Sequence, residues 1–272
     1  MATKLLDWID IEKLIWRTLS ANPKAINFLE ANPDKINWHW LAENPAAFHL
    51  LEANPEKINW HLLSGNPGAI HLLEANADKI DWVMLSKNTA AMRLLEENPD
   101  KINWCTLSEN PTAIHLLEKN QDKIDWVMLS TNTAAMRLLE ANPDQINWYM
   151  LSENPNAIHF LEANQDKIDW CQLSKNPAAI DLLEKNQDKI DWYMLSKNTA
   201  AMHLHKANQD KIYWSLLSKT PDIFQYDYDA MEKKCMLFKE DLIKDRFHPR
   251  NLIAGKFKDW GIDGFEDDSE DE

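Results

Sequence analysis

Asp100-Lys101-Ile102-Asn103-Trp104-Cys105-Thr106-Leu107-Ser108-Glu109, followed by Asn110-Pro111-Thr112-Ala113-Ile114-His115-Leu116-Leu117-Glu118-Lys119-Asn120, is one period of a repeat whose last position holds Pro, Gln or Ala. Ten tryptophans mark it, at Trp16, Trp38, Trp60, Trp82, Trp104, Trp126, Trp148, Trp170, Trp192 and Trp214, and every interval is 22 residues. The leucine three positions after each Trp recurs from Leu19 to Leu217. A fixed period of this length signals stacked supersecondary units. Asp78 to Leu95 and Asp122 to Leu139 are nearly identical, which points to growth by duplication of unit pairs.

Each period contains two helix starts. Asn or Asp precedes Trp in eight of the ten units, and such side chains accept a free amide of the first turn. Ile102, Asn103 and Leu107 have the spacing of a hydrophobic staple around that cap. The second start is Asn110 or its equivalent, with Pro next in seven units and Thr89, Thr133 or Thr199 in the other three. Pro there loses no hydrogen bond and presets φ. This helix runs through Ala113, Ile114, Leu116 and Leu117 and is expected to stop near Asn120, a residue that tolerates the left-handed conformation. Neither helix reaches the ~12–15 residues at which an isolated helix becomes stable, so stability must come from stacking. The expected fold is all-α: an α-solenoid of ten 22-residue repeats, each of two short helices, with helical caps. At interhelical spacings of 8–10 Å, ten units predict a rod or superhelix on the order of 100 Å long.

The expected boundaries are an N-terminal cap over 1–11, the array over 12–227, a C-terminal helical cap over 228–262 and an acidic tail over 263–272. Leu5, Leu6, Trp8 and Ile9 precede the first unit. The tenth drifts, with Tyr213 at the cap, Thr220 for Asn and Ile223 for Ala. Tyr228 to Phe247 reads as a longer helix with Met231, Cys235, Phe238 and Leu242 on one face, broken at His248-Pro249. Ile253, Phe257 and Trp260 suggest a last helix, and seven acids in the final ten residues a solvated, disordered tail.

Composition narrows the function classes. The chain has 272 residues, 44 % of them hydrophobic, and a formal net charge of −15. Five glycines are too few for Gly-rich phosphate loops, and the acidic balance argues against a nucleic-acid backbone as partner. No stretch is long and apolar enough for a membrane span, and the first residues lack the apolar core of a signal peptide. Cys105, Cys171 and Cys235 form no Cys-x-x-Cys pair, which suits a reducing compartment. Cys105 and Cys171 are expected to lie about 30 Å apart on an extended array, too far for a disulfide.

The pattern Asn-Pro-x-Ala-Ile-x-Leu-Leu-Glu-x-Asn-x-Asp-Lys-Ile-x-Trp-x-x-Leu-Ser resembles the tandem short-helix repeat proteins of giant DNA viruses of amoebae and algae. The stretch from Phe247-His248-Pro249-Arg250 to Trp260-Gly261 is similar to the end segment of such proteins. The resemblance covers roughly residues 12 to 262. It implies a viral origin, not a biochemical activity, and transfers no catalytic residues; the expected location is the host cytoplasm or the virion, with no cofactor and no metal.

Several residue sets compete as functional sites. The Trp ladder could stack nucleic-acid bases, but a repeat needs one bulky apolar residue per interface, and net charge favours that core role. His49, His71, His115, His159 and His203 share one slot, which elsewhere holds Asn27, Arg93, Arg137, Asp181 or Gln225. A slot polar in every unit reads as a solvated stripe, or as a partner-binding face that gains charge in mildly acidic solution. Successive units are too far apart to share a metal through it. The two slots after Trp vary most. A half-buried groove lined by Trp40, Leu62, Met84, Met128, Tyr149, Met150, Tyr193 and Met194 is the preferred binding surface, because Met and aromatic side chains adapt to partners. The alternative is that these are packing variants. The repeated serine (Ser20, Ser64, Ser86 and six more) reads as a helix-terminal hydrogen bonder, not a nucleophile. Asp100-Lys101 and its equivalents read as exposed turn charges of little energetic consequence. His205 and Lys206 break the Leu-Glu pattern of the ninth unit, most simply as an approach to the C-terminal cap. The functional expectation is a non-enzymatic scaffold that binds a protein partner along its surface, or alternatively a structural component of the virion or virus factory.

Overall fold

A computed structural model describes residues 3–246, with the side chains at 238 and from 240 on left undescribed. It is an all-α repeat fold, with one small sheet of Thr3–Leu5 and Phe224–Tyr226. The chain divides into two compact units. One is Leu5–Gln225, and the other holds, among the described residues, Thr3–Lys4 and Tyr226–Arg246.

In the fifth repeat, the Trp helix spans Trp104–Ser108 and is capped by Asn103, whose Oδ1 accepts from the Thr106 amide. Asn110 then caps a 3-10 turn, Pro111–Ala113, which runs into the second helix, Ile114–Lys119. Here the structure corrects one expectation. Asn120 has φ −130° and ψ 53°, not the left-handed conformation. It ends the helix with its side chain instead, Nδ2 donating to the Leu116 carbonyl at 2.9 Å, and opens another 3-10 turn, Gln121–Lys123.

Neighbouring units are joined by a recurring set of three hydrogen bonds, incomplete where Ala42 replaces the serine and where Thr220 replaces the asparagine. The amide of the cap residue donates to the preceding unit's serine, as Asn103 N to Ser86 Oγ at 3.0 Å. That serine also donates to its own helix, Ser86 Oγ to the Trp82 carbonyl at 2.7 Å. Asn110 Nδ2 donates to the carbonyls of Ser86 (3.0 Å) and Asn88 (3.2 Å). The asparagines of this ladder, Asn22 through Asn198, are at most 2 % exposed. A buried amide must find partners, and the preceding unit supplies all that it needs. Leu19, Leu41, Leu63 and their equivalents, with Leu29, Leu51 and Leu73 from the second helices, form one continuous core through the stack. Two units approach closely at Gly68. A Cβ there would lie 2.3 Å from the Pro45 carbonyl oxygen, so this joint admits only glycine without a backbone shift.

The array of Leu5–Gln225 is not an open rod. Its tenth unit packs on its first through the same joint. Ile15 N donates to Ser218 Oγ at 3.0 Å, and Asn22 Nδ2 donates to the carbonyls of Ser218 (3.1 Å) and Thr220 (2.8 Å). Lys13 lies over Trp214 as Lys35 lies over Trp16. Lys24 pairs with Asp222 at 3.5 Å, and Phe28 meets Phe224 edge-on. The ten units therefore close into a ring, each joint turning about 36° if the turn is shared evenly. A contour on the order of 100 Å, wrapped into a circle, is only about 30 Å across at the helix axes. Residues of the segment 1–11, expected as the N-terminal cap, pack into the ring together with Leu14 of the first unit. Ile9 and Leu14 are buried, and Leu6 N donates to the Ile223 carbonyl.

The helix Tyr228–Arg246 is present as expected, with Met231 half-buried and Cys235 exposed. The side chains of Phe238 and Leu242, the His248-Pro249 break, the last helix and the acidic tail lie outside the described residues.

Candidate functional site

The ring distinguishes two kinds of surface. Lys219 of the tenth unit reaches past Ala21 of the first to pair with Glu43 of the second, and its ammonium lies 5.2 Å from the Trp40 ring centre. Two repeat spacings would amount to about 20 Å on a straight array, beyond the reach of a lysine and a glutamate. The slots two and five after Trp are thus drawn together on the inner circumference. Trp helices also pack directly on one another there, as Trp170–Lys175 does on Trp192–Leu195.

This inner wall carries the predicted groove residues. Trp40, Leu62, Met84, Met128, Met150 and Met194 are half-buried, and Tyr149 and Tyr193 are 49 % and 44 % exposed. Adjacent copies touch. Gln172 Nε2 donates to Tyr149 OH at 2.6 Å, Thr106 Oγ1 donates to the Val83 carbonyl at 2.9 Å, and Tyr193 meets Tyr213 edge-on with centres 5.2 Å apart. Arg17 and Lys219 both lie over Trp40, whose buried Nε1 has no hydrogen-bond partner among the described residues. Lys175 pairs with Glu153 at 2.6 Å along the same wall.

The histidine set lies on the second helices, and all five members are exposed. Three reach back to the preceding unit: His49 to Glu30 at 2.7 Å, His115 to Glu96 at 2.9 Å and His203 to Glu184 at 2.8 Å. Arg93 takes the same role with Glu74, and that contact, together with Glu97, raises the pKa of its guanidinium. His159 instead faces Glu162, and His71 meets the edge of Phe48. Among the described residues no hydrogen bond, ion pair or ring contact joins the histidines to the Trp40–Tyr193 wall, so they are separate surfaces. No group of three or more His, Cys, Asp or Glu among these residues is placed to hold a metal.

The tryptophans are half-buried and packed against the core. Sequence reasoning missed what covers their outer faces. The turn lysine of the following unit sits over each ring, for example Lys101 over Trp82 at 4.5 Å and Lys57 over Trp38 at 4.2 Å. Phe28 and Phe160 stack on Trp16 and Trp148 from within their own units. The lysine of the Asp-Lys pair is therefore part of the joint, and it covers nine of the ten rings. The missed signal was spacing: Lys stands nineteen after one Trp and three before the next. Trp126 is the exception, because Gln145 occupies its lysine slot. Gln145→Lys is expected to raise stability by about 0.5–1 kcal/mol, and Lys101→Ala to lower it by a similar amount. Urea unfolding of both variants measures this. Equal stabilities would show that the ammonium contributes nothing.

His205 fills a slot that holds leucine in the eight preceding units. It is fully buried, Nε2 pairs with the Leu195 carbonyl at 3.0 Å, and Nδ1 has no partner. Burial lowers its pKa below the usual 6.5, the Leu195 bond opposing and His203 adding to the shift. The unfolded chain therefore binds a proton that the native ring refuses. Stability is full above the ordinary histidine pKa and falls as pH drops below it, by up to about 1.4 kcal/mol per pH unit. His205→Leu restores the repeat residue and removes the orphaned Nδ1, and the Leu195 carbonyl keeps its bond from Asn198 N. The variant should be more stable by about 1–3 kcal/mol and lose less stability between neutral and mildly acidic pH. Parallel urea titrations at two pH values would refute this if the two proteins shifted together.

The thiols of Cys105 and Cys171 are free. Asp125 and burial push the first above its usual pKa, and burial and Asp191 push up the second, so neither is an activated nucleophile. The repeated serine hydroxyls are buried in the joints. No helix among the described residues is long and apolar enough to cross a membrane. Compared with protein-family models, curated proteins and solved structures, the chain matches none.

Proposed function

We propose that the ring is a non-enzymatic scaffold that holds a protein partner on its inner wall. One observation carries this reading: the repeat-invariant side chains are spent on joints and core, whereas the two slots after Trp vary from unit to unit and stay half-exposed. Met84, Met128, Met150 and Met194 offer adaptable apolar contact, and Tyr149 and Tyr193 add amphipathic rings. A closed ring holds these side chains in fixed mutual positions, which lowers the ordering cost of binding. The likeness of the repeat to giant-virus proteins supports a setting in the infected host cytoplasm or the virion.

The test is affinity capture from infected cells with three baits: the native ring, a wall variant (Tyr149→Ser with Tyr193→Ser) and an outer-face variant (His115→Ser with His203→Ser). A protein captured by the native and outer-face baits and lost by the wall bait is the expected result. Equal capture by all three, or loss only with the histidine variant, would overturn the assignment. Mass spectrometry of purified virions separates the two settings. Presence in fixed ratio to capsid protein would favour the virion component over the intracellular scaffold.

A further inference from the structure

On the outer face four joints share one pairing: the residue eleven after a Trp reaches back to the carboxylate fourteen after the preceding one, His49 to Glu30, Arg93 to Glu74, His115 to Glu96 and His203 to Glu184. Between the ninth and tenth units these two positions hold Gln225 and Lys206, so a cation stands where the pattern places an acid. Both side chains line an open cleft of ≈ 400 Å³, and among the described residues Leu6, Asp7 and Trp8 form the rest of its lining. The Asp7 carboxylate and the Lys206 ammonium pair neither with each other nor with any other described residue. Two exposed side chains of opposite charge thus line one open cleft, neither paired among the described residues, beside a half-buried indole and a half-buried leucine.

We propose that this cleft binds a small zwitterion with an apolar body. The ligand's ammonium sits against Asp7 and its carboxylate against Lys206. The Gln225 amide supplies a further donor or acceptor, and Leu6 and Trp8 cover the apolar part. A ligand carrying only one charge would leave one wall of the cleft unmatched, whereas a zwitterion forms charge-assisted hydrogen bonds at both. The volume lies within the range of small-molecule pockets, which begins at about 300 Å³. A free apolar amino acid and a short apolar peptide share this chemistry. The inference is independent of the inner-wall reading, because the cleft uses none of the wall residues.

Calorimetric titration of the full chain tests it with four probes: L-phenylalanine, N-acetyl-L-phenylalanine, L-phenylalanine amide and the Phe-Phe dipeptide. Saturable binding of L-phenylalanine is expected, with each singly charged derivative weaker by about tenfold or more. Lys206→Glu, which restores the residue of the earlier units, and Asp7→Asn should each weaken binding by a similar factor with an unchanged melting temperature. Tighter binding of Phe-Phe than of phenylalanine would support the site and assign a peptide as its source. No saturable heat with phenylalanine or Phe-Phe up to about 10 mM would overturn the proposal, as would undiminished binding by both variants.

Discussion

Asn110→Ala is expected to cost about 3–5 kcal/mol, far more than an asparagine substitution on a surface helix. The side chain makes four bonds: its amide donates to the Ser86 and Asn88 carbonyls, and its Oδ1 accepts from the Thr112 amide and the Thr112 hydroxyl. Truncation leaves buried carbonyls short of a donor and a turn without its cap. Each loss of this kind costs about 1–3 kcal/mol, because a buried group gives up its partner without regaining water. Asn110→Asp should be worse still. It places a carboxylate against two carbonyl oxygens, in a site that is 1 % exposed. Asn120 provides the control. It is half-buried, and its amide bonds only within its own unit, to Leu116. Asn120→Ala should cost about 1 kcal/mol. Urea unfolding followed by tryptophan fluorescence reads all three variants. Similar losses for Asn110→Ala and Asn120→Ala would mean that the buried ladder is no stronger than an ordinary helix end.

These two asparagines also show how much of the fold was legible in the sequence. Both stand at helix boundaries, and periodicity places both there, because capping is local chemistry encoded within a few residues. Nothing local reveals that one amide points outward along its own helix and the other into the neighbouring unit. The same holds for Ser86, legible as a helix-terminal hydrogen bonder, whose second bond to Asn103 N crosses a joint. Among the candidate sites, the variable pair after Trp was legible as a set; its second slot is half-buried in most units, whereas its first, with Tyr149 and Tyr193, is exposed. That the set lines the inside of a ring was not legible, because curvature follows from a small rotation at each joint that no single residue specifies. One sign was present. Terminal units of an open solenoid need polar outer faces, yet the first unit keeps Lys13 and Asn22, whose roles elsewhere in the array require a preceding unit.

Asn22→Ala is therefore expected to destabilise the protein as much as Asn110→Ala, by about 3–5 kcal/mol. In an open array Asn22 would face no preceding unit. Its amide would be hydrated, and truncation would remove only the cap on the Lys24 amide, worth about 1 kcal/mol. In the ring the same amide holds the Ser218 and Thr220 carbonyls, 196 and 198 residues away in sequence. This joint differs from the others in its constituents. Thr220 stands in for asparagine, and neither Ile15 nor Tyr213 supplies a side-chain cap. Weakening it further concentrates opening at one place. Amide hydrogen exchange in Asn22→Ala should accelerate first in the first and tenth units, whereas in Asn110→Ala the fourth and fifth should lead. In the native chain the end units should be protected as well as the middle ones, since a closed ring has no free end to fray. A cost near 1 kcal/mol for Asn22→Ala, with fast exchange at both ends of the native array, would show that the ring is open in solution. The inner wall would then lose the fixed arrangement on which the proposed partner binding rests.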